Sequence, residues 1–293
     1  MLIFHEAHRL QQYLSRETTP QGKTGFVPTM GALHQGHLSL LKEARRQTDR
    51  VVVSIFVNPT QFNDQRDFEN YPITLSEDIK RLSEAGCAIL FLPSVNEIYP
   101  NGSSLEKPYQ LGYLETVLEG RYRPGHFQGV CQVVERLLLL VQPELLFLGQ
   151  KDYQQCMVLN SLVRDQPAFQ SIQVVVCPTL RETDGLAMSS RNTRLTTEQR
   201  KQAPAIHQAL LDMKKAVKPE KLEGLKQQAV QFLTEKGFRV DYAELAEAHT
   251  LELKQEWNGR DPLVGLIAAF LGDIRLIDNM ILTESGFSSD ESV

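Results

Sequence analysis

Little in this chain points toward a metal cluster, a membrane or a nucleic acid duplex. Cysteine is scarce: Cys87, Cys131, Cys156 and Cys177 each lie in an apolar setting, and no C-x-x-C pair offers a zinc site or a redox couple. Positive charge is in deficit, with 31 Lys and Arg against 36 Asp and Glu. A net charge of -5 exerts no general pull on polyanions, so any polyanion bound here must be gripped by a local cationic site. A nucleotide fits that description better than a duplex. Apolar runs are short, none approaching the roughly 18 residues of a membrane span. The opening Met1-Leu2-Ile3-Phe4-His5-Glu6 has no basic segment followed by an apolar stretch, as a secretory signal would. No internal repeat is evident. The expectation is a cytoplasmic protein with buried, reduced thiols and no nucleic acid or membrane partner.

What is present is ordinary globular material: 293 residues, 42% hydrophobic and 23% charged, enough for one large or two modest cores. Strand-sized apolar runs at Gly25–Val27, Val51–Val57, Ala88–Leu92, Leu145–Leu148 and Ile172–Val176 alternate with segments whose apolar residues recur every three or four positions. Those segments are Leu38–Thr48, Leu75–Ala85, Val130–Val141 and Tyr153–Asp165. Continuous apolar strands interleaved with helices predict an α/β fold, a parallel sheet with helices on both faces. After about residue 180 the pattern changes to charged amphipathic helices, Thr197–Val217 and Pro219–Gly237, and then to strands at Phe238–Leu245, Leu263–Leu271 and Ile274–Leu282. A smaller α+β domain is expected there. The Ser-rich acidic end, 284–293, has too few apolar residues to fold alone.

Ligands of open parallel sheets bind beyond the carboxyl ends of the strands, and the unusual polar clusters fall at such junctions. The first is Pro28-Thr29-Met30-Gly31-Ala32-Leu33-His34-Gln35-Gly36-His37, a strand turning through glycines into a helix. Glycine admits close backbone approach, and a helix N-terminus suits phosphate. Two imidazoles at H-x-G-H spacing can face an α-phosphate and stabilise charge developing on it. Zinc is the alternative reading, weakened by the lack of a third ligand at a suitable spacing. Gly22-Lys23-Thr24 imitates the end of a P-loop but precedes a strand, and position 17 is Glu where that motif needs Gly. The second cluster, Gly149-Gln150-Lys151-Asp152, puts a lysine and a carboxylate at a strand end. The third runs from Arg181 through Gly185 to Met188-Ser189-Ser190-Arg191-Asn192 and reads as a mobile loop able to close over a triphosphate with hydroxyls and a guanidinium. Asn58, Gln61 and Gln155 offer neutral donors and acceptors for a hydroxylated acid. Glu119, Arg123 and His126 form a further polar cluster whose role the residues alone leave open.

Five stretches together, PTMGALHQGH at 28–37, SIFVNPTQF at 54–62, RPGHFQGV at 123–130, GQKDYQQ at 149–155 and DGLAMSSRN at 184–192, resemble the pantothenate synthetase (pantoate:β-alanine ligase) family. That family belongs to the H-x-G-H nucleotidyltransferase superfamily related to class I aminoacyl-tRNA synthetases. The resemblance implies a Rossmann-like ATP- and pantoate-binding domain over 1–180, a smaller lid domain over 181–283, and a flexible tail over 284–293. It implies that Met30, Gly31, Ala32, Leu33, His34, Gln35, Gly36 and His37 cradle ATP, with Gly149, Gln150, Lys151, Asp152, Leu180, Met188, Ser189, Ser190 and Arg191 completing the nucleotide site. His34, His37 and Lys151 would act in catalysis. Gln61 and Gln155 match pantoate positions, with Asn58, Arg123 and His126 grouped beside them for pantoate or β-alanine, and Glu77 and Asp78 match an acidic pair near Mg2+ in some relatives. Gln150 stands where the family often has Glu, and the MSSR stretch lacks the second lysine of the synthetase KMSKS loop.

The implied activity is ATP-dependent condensation of (R)-pantoate with β-alanine through a pantoyl adenylate, releasing AMP and pyrophosphate, in a homodimer. The segments around residues 36, 151 and 190 are expected to converge on one triphosphate. Rival readings are another H-x-G-H adenylyltransferase for a different acid or phosphate acceptor, a tRNA synthetase, for which no tRNA-binding module is evident, and a nucleotide-binding regulator without turnover.

Overall fold

The computed structural model describes residues 1–16, 22–105, 107–219 and 222–283; the tail expected at 284–293 lies outside them. The chain divides into two compact units. One comprises Met1–Gly149 with Gln155–Cys177, the other Gln150–Gln154 with the chain from Pro178 onward.

The first unit is built on β1 (Leu2–Phe4), α1 (Ala7–Arg16), β2 (Thr24–Thr29), α2 (Gln35–Gln47), β3 (Arg50–Ile55), α3 (Gln65–Glu69), α4 (Leu75–Glu84), β4 (Ile89–Phe91), α5 (Val95–Ile98), α6 (Leu118–Tyr122), α7 (His126–Val141), β5 (Leu145–Gly149), α8 (Tyr153–Asp165) and β6 (Gln173–Cys177). All six strands are parallel, in the order β1-β4-β3-β2-β5-β6. Alternate side chains of the central strands enter separate cores. Phe26, Val52, Leu146 and Leu148 pack with Leu10 and Leu14 of α1, Val134 and Leu138 of α7, and Val158 and Leu162 of α8. Val27, Val51, Val53 and Phe147 point the other way, toward Leu40, Leu41 and Ala44 of α2 and Leu82 of α4. Burial of both faces explains why the strands read as unbroken apolar runs. The chain passes from β2 outward to β3 and β4 and then returns to add β5 on the other side of β2, so the order reverses between β2 and β5, where a ligand crevice is expected.

The second unit contains α9 (Thr197–Gln202), α10 (Ala205–Ala216), α11 (Glu223–Glu235) and an antiparallel sheet of β7 (Phe238–Glu247), β8 (Leu263–Leu271) and β9 (Ile274–Ile281), ordered β7-β8-β9. Ile206, Leu210 and Met213 of α10 and Leu233 of α11 pack on Leu245, Ile267 and Leu276. The single helix expected over Thr197–Val217 is two, parted at Ala203 and Pro204, because proline brings no N–H to an interior turn and its ring crowds the one before. The helix expected from Pro219 begins at Glu223; residues 220–221 lie outside the described set. No helix among the described residues is long and apolar enough to cross a membrane.

Candidate active site

The loop leaving β2 at the sheet's reversal point is held by a carboxylate far away in sequence. Gly31 and Ala32 both have positive φ, 80° and 48°, a conformation that costs a residue with a Cβ more than glycine. Asp78, 1% exposed, compensates by accepting from Ala32 N at 2.9 Å and Leu33 N at 2.7 Å, with Thr74 Oγ1 donating to the same carboxylate at 3.1 Å. Arg81 donates to the Leu33 carbonyl. Thr29 Oγ1 accepts from Gly31 N and donates to Ser54 O. Both oxygens of Asp78 are therefore spent on the loop, whereas Glu77, the other carboxylate of the acidic pair, pairs with Arg81 on a half-exposed helix face. Adjacent helical residues do not share a face, and the two carboxylates serve different partners.

His34 is the N-cap of α2. Its Nδ1 accepts from Gly36 N at 3.1 Å, and His37 Nδ1 accepts from His34 N at 3.2 Å, so the two histidines form a reciprocal capping box. An accepting Nδ1 carries no proton, which leaves Nε2–H as the donor of each neutral ring. The ring centroids are 4.0 Å apart, and the helix N-terminus beneath them is electropositive. Two directed donors at a helix start can stabilise negative charge on a phosphoryl oxygen. An apolar recess of about 260 Å³ opens beside the loop, lined by Met30, Gly31, Ile55, Phe56, Ile73 and Val95 but by neither histidine.

After β3 a short turn, Pro59–Gln61, presents Gln61. Its Nε2 reaches Met30 Sδ at 3.0 Å, and its Oε1 accepts from Asn58 Nδ2. Asn58 is buried and fully engaged: Nδ2 also donates to Gly129 O, and Oδ1 accepts from Thr60 and from the Tyr99 hydroxyl at 2.8 Å. Burial holds the Tyr99 phenol above its ordinary pKa, so it stays a donor. Asn58 thus stands behind Gln61 as its support. Arg123 and His126 stand behind it as well. Arginine only donates, so Arg123 Nη1, 3.0 Å from His126 Nε2, makes that nitrogen an acceptor. Nδ1–H then donates to the Gln61 carbonyl at 2.8 Å, and Glu119 lies 3.6 Å from Arg123. His126 is 5% exposed and has both ring nitrogens committed to the protein. Gln155 sits half-buried in the first turn of α8 and makes no hydrogen bond with Gln61 among the described residues.

In the second unit, Gln150–Asp152 form a single turn, with Lys151 Nζ 3.2 Å from Asp152 Oδ1 and the lysine side chain 18% exposed. Within the segment read as a loop, residues 180–188 form a hydrogen-bonded hairpin. Arg181 bridges to Ala187, Met188 N donates to Leu180 O, and Gly185 turns at φ 92°. The hairpin is fastened by a bidentate pair between Arg181, still partly exposed, and the buried Asp278, at 2.6 and 3.0 Å; such a charge-assisted pair fixes geometry as well as energy. Leu180 and Met188 are thereby neighbours. Ser189 caps the following turn by accepting from Arg191 N, and Ser190 is buried within it. Asp278 and Asn279 were invisible to motif reading. Their signal was two adjacent polar residues in a run, Ile274–Leu282, that is apolar elsewhere except at Arg275.

The pantoate-beta-alanine ligase family model matches residues 2–281. A pantothenate synthetase from Bacteroides fragilis is 43% identical over 97% of this chain and the whole of that protein, and one from Marinomonas is 44% identical over 96% of this chain and 99% of that protein. Among solved structures, the pantothenate synthetase of Thermus thermophilus superposes with a TM-score of 0.84 at 41% identity, covering 96% of this chain and 99% of that one. The pantoate-beta-alanine ligase of Francisella tularensis, complexed with beta-gamma ATP and beta-alanine, gives 0.80 at 38% identity over 98% and 99%. On a full-length match to the family model and to relatives above 40% identity, this chain belongs to the pantoate-beta-alanine ligase family.

Proposed function

We propose that this protein joins (R)-pantoate to β-alanine at the expense of ATP, through a pantoyl adenylate. The observation that carries the reading is the capping-box pair His34 and His37 at the start of α2, where two Nε2–H donors and a helix N-terminus coincide at the reversal point of the sheet. A carboxylate is a poor electrophile, and AMP converts it into one with a good leaving group. A pantoate carboxylate oxygen attacks the α-phosphorus of ATP, and the bond from that phosphorus to the bridging oxygen breaks, releasing pyrophosphate. The β-alanine amine then attacks the pantoyl carbonyl; the carbon–oxygen bond to phosphate breaks, AMP leaves, and the nitrogen sheds its proton. His34 and His37 donate to the phosphoryl oxygens as charge develops, while Lys151, Ser189, Ser190 and Arg191 supply charge and hydroxyls to the phosphates. Met30 to Gly36, Gly149, Gln150, Asp152, Leu180 and Met188 complete the nucleotide contacts. Gln61 and Gln155 read the pantoate hydroxyls, with Asn58, Arg123 and His126 holding Gln61 in place. Orientation and fixed dipoles account for the acceleration, with no covalent enzyme intermediate.

Among the described residues no group of three His, Cys, Asp or Glu is placed to hold a metal ion. Magnesium, which prefers phosphate oxygens and water with one or two carboxylates, fits as a companion of the triphosphate. The four cysteines are buried free thiols, with burial pushing Cys131 up to about 12 and Cys87 and Cys177 up to about 11. Such inert thiols suit the cytoplasm, and a second copy of the chain is the expected partner.

The test is exchange of labelled pyrophosphate into ATP with pantoate present and β-alanine absent. Exchange is expected with the wild type and should fall by about 10²–10³ in His37→Ala or Lys151→Ala with melting temperatures retained. Wild-type protein that binds ATP without exchange would be a regulator, and unimpaired exchange in both variants would remove those residues from the chemistry.

A further inference from the structure

We propose that Asp278 and Asn279 of β9 are positioning residues that set the spacing between the Lys151 turn and the serine hairpin, so that both address the same triphosphate. The inference rests on the assignment of Lys151 and Ser189–Arg191 to the phosphates. Successive residues of a strand project to opposite faces, so one dipeptide can clasp two different elements. Asp278 takes Arg181 in a bidentate pair, and the same guanidinium donates to the Gly185 and Asn279 carbonyls at 3.1 and 3.3 Å. The whole hairpin from Leu180 to Met188 is thereby referenced to one point of β9. Asn279 takes the other element: its Nδ2 donates to the carbonyls of Gln150 and Lys151, both at 2.9 Å, and its Oδ1 accepts from Gln150 Nε2 at 3.3 Å. Its backbone N–H is bound by Asp278 Oδ1 at 2.8 Å.

Both residues are 2% exposed, within a strand whose remaining residues are largely apolar. Desolvating an aspartate and an arginine costs as much as their attraction returns, and apolar replacements of similar volume are often as stable. Stability therefore gives no account of the polar pair, whereas geometry does. Two carbonyls of the Lys151 turn are fixed by one amide, leaving the lysine ammonium a limited arc. The hairpin that delivers Ser189 and Ser190 is fixed by the next residue along the same backbone. Neither side chain is assigned a contact with substrate, so each acts through the element it holds.

The test is a pair of mutant cycles in the full chain, read by pantoate-dependent pyrophosphate exchange and by separate KM values. Asn279→Ala is combined with Lys151→Ala, and Asp278→Asn with Ser190→Ala. Asn279→Ala is expected to raise the KM for ATP and lower exchange by about tenfold or more, since an ångström of misplacement costs up to about 10²-fold, while the KM for pantoate stays within about twofold. Added to Lys151→Ala it should cost almost nothing further, because residues acting through one another are not additive; the Asp278 cycle should behave likewise. A merely structural role would lower the active fraction, reducing kcat without moving the KM for ATP. Where Asn279→Ala melts below the assay temperature, Asn279→Asp, which keeps shape and acceptor but loses the amide donors, carries the same comparison. Additive losses in both cycles, or unchanged ATP kinetics, overturn the inference. A wild type that fails to exchange at all overturns the functional reading beneath it instead.

Discussion

Replacing Gly129 with alanine asks whether the close approach of α7 to the turn at Pro59–Gln61 is what places Gln61. A Cβ at this position would stand 2.3 Å from the Thr60 carbonyl oxygen, 2.5 Å from its carbon and 2.7 Å from Gln61 Cα. All three are backbone atoms, so no change of rotamer relieves the clash, and an ordinary contact of 3.4 Å requires helix and turn to part by about 1 Å. Opposing effects set the outcome. Alanine inside a helix gains about 1 kcal/mol over glycine, the forced separation costs about 1–3 kcal/mol, and stretching the Asn58 bond to the Gly129 carbonyl, now 3.1 Å, costs about 1 kcal/mol. The net loss is about 2 kcal/mol, which lowers the melting temperature by roughly 4–8 °C. Function suffers more, because an ångström of displacement at a substrate-positioning group costs on the order of 10²-fold. Calorimetry and kcat/KM for pantoate at saturating ATP and β-alanine measure both. A variant that melts higher than wild type and keeps its kcat/KM would show that the helix preference prevails and that the turn is not wedged against α7.

Three further outcomes are expected. His126→Gln, which cannot both accept from Arg123 and hold the Gln61 carbonyl in the same geometry, should raise the KM for pantoate by about tenfold while sparing that for ATP; equal shifts in both would detach His126 from Gln61. Asp78→Ala leaves the Ala32 and Leu33 N–H groups without their acceptor and should destabilise by about 3–5 kcal/mol in urea unfolding, whereas a loss under about 1 kcal/mol would mean the loop holds itself. Burial, followed by the charge of Arg181, depresses the His207 pKa below 6.5, with Asp278 opposing. The folded state then favours the neutral ring, so this contribution to stability is complete above the unfolded value and is lost as pH falls through the folded one. His207→Gln should therefore show a shallower drop in melting temperature between about pH 7 and pH 5 than wild type, and parallel curves would refute the assignment.

The strands were legible because burial on both sheet faces erases alternation and leaves plain apolar runs, as at Val51–Val53 and Leu145–Leu148. The histidine pair was legible because its members lie three residues apart and their chemistry dictates both type and spacing. The helix break at Pro204 was written in the sequence too, yet Thr197–Gln202 is polar throughout with no residue buried, so it carries no apolar period of its own to mark it as a separate helix.

Residues that hold the functional groups follow a different rule. Asp78 serves a loop 46 residues earlier, Gly129 faces a turn carrying a partner 71 residues earlier, and Asn279 grips a turn 128 residues earlier. None of these pairings leaves a local period, because the constraint is a distance in space. What each does leave is a misfit between residue type and surroundings: a carboxylate on the buried side of an amphipathic helix, a glycine inside a long apolar helix, an Asp-Asn step within an apolar strand. A glycine in mid-helix costs about 1 kcal/mol against alanine, and a buried carboxylate costs several unless it is paired. Each misfit therefore requires a partner, and the sequence announces that a partner exists while only the fold says which one.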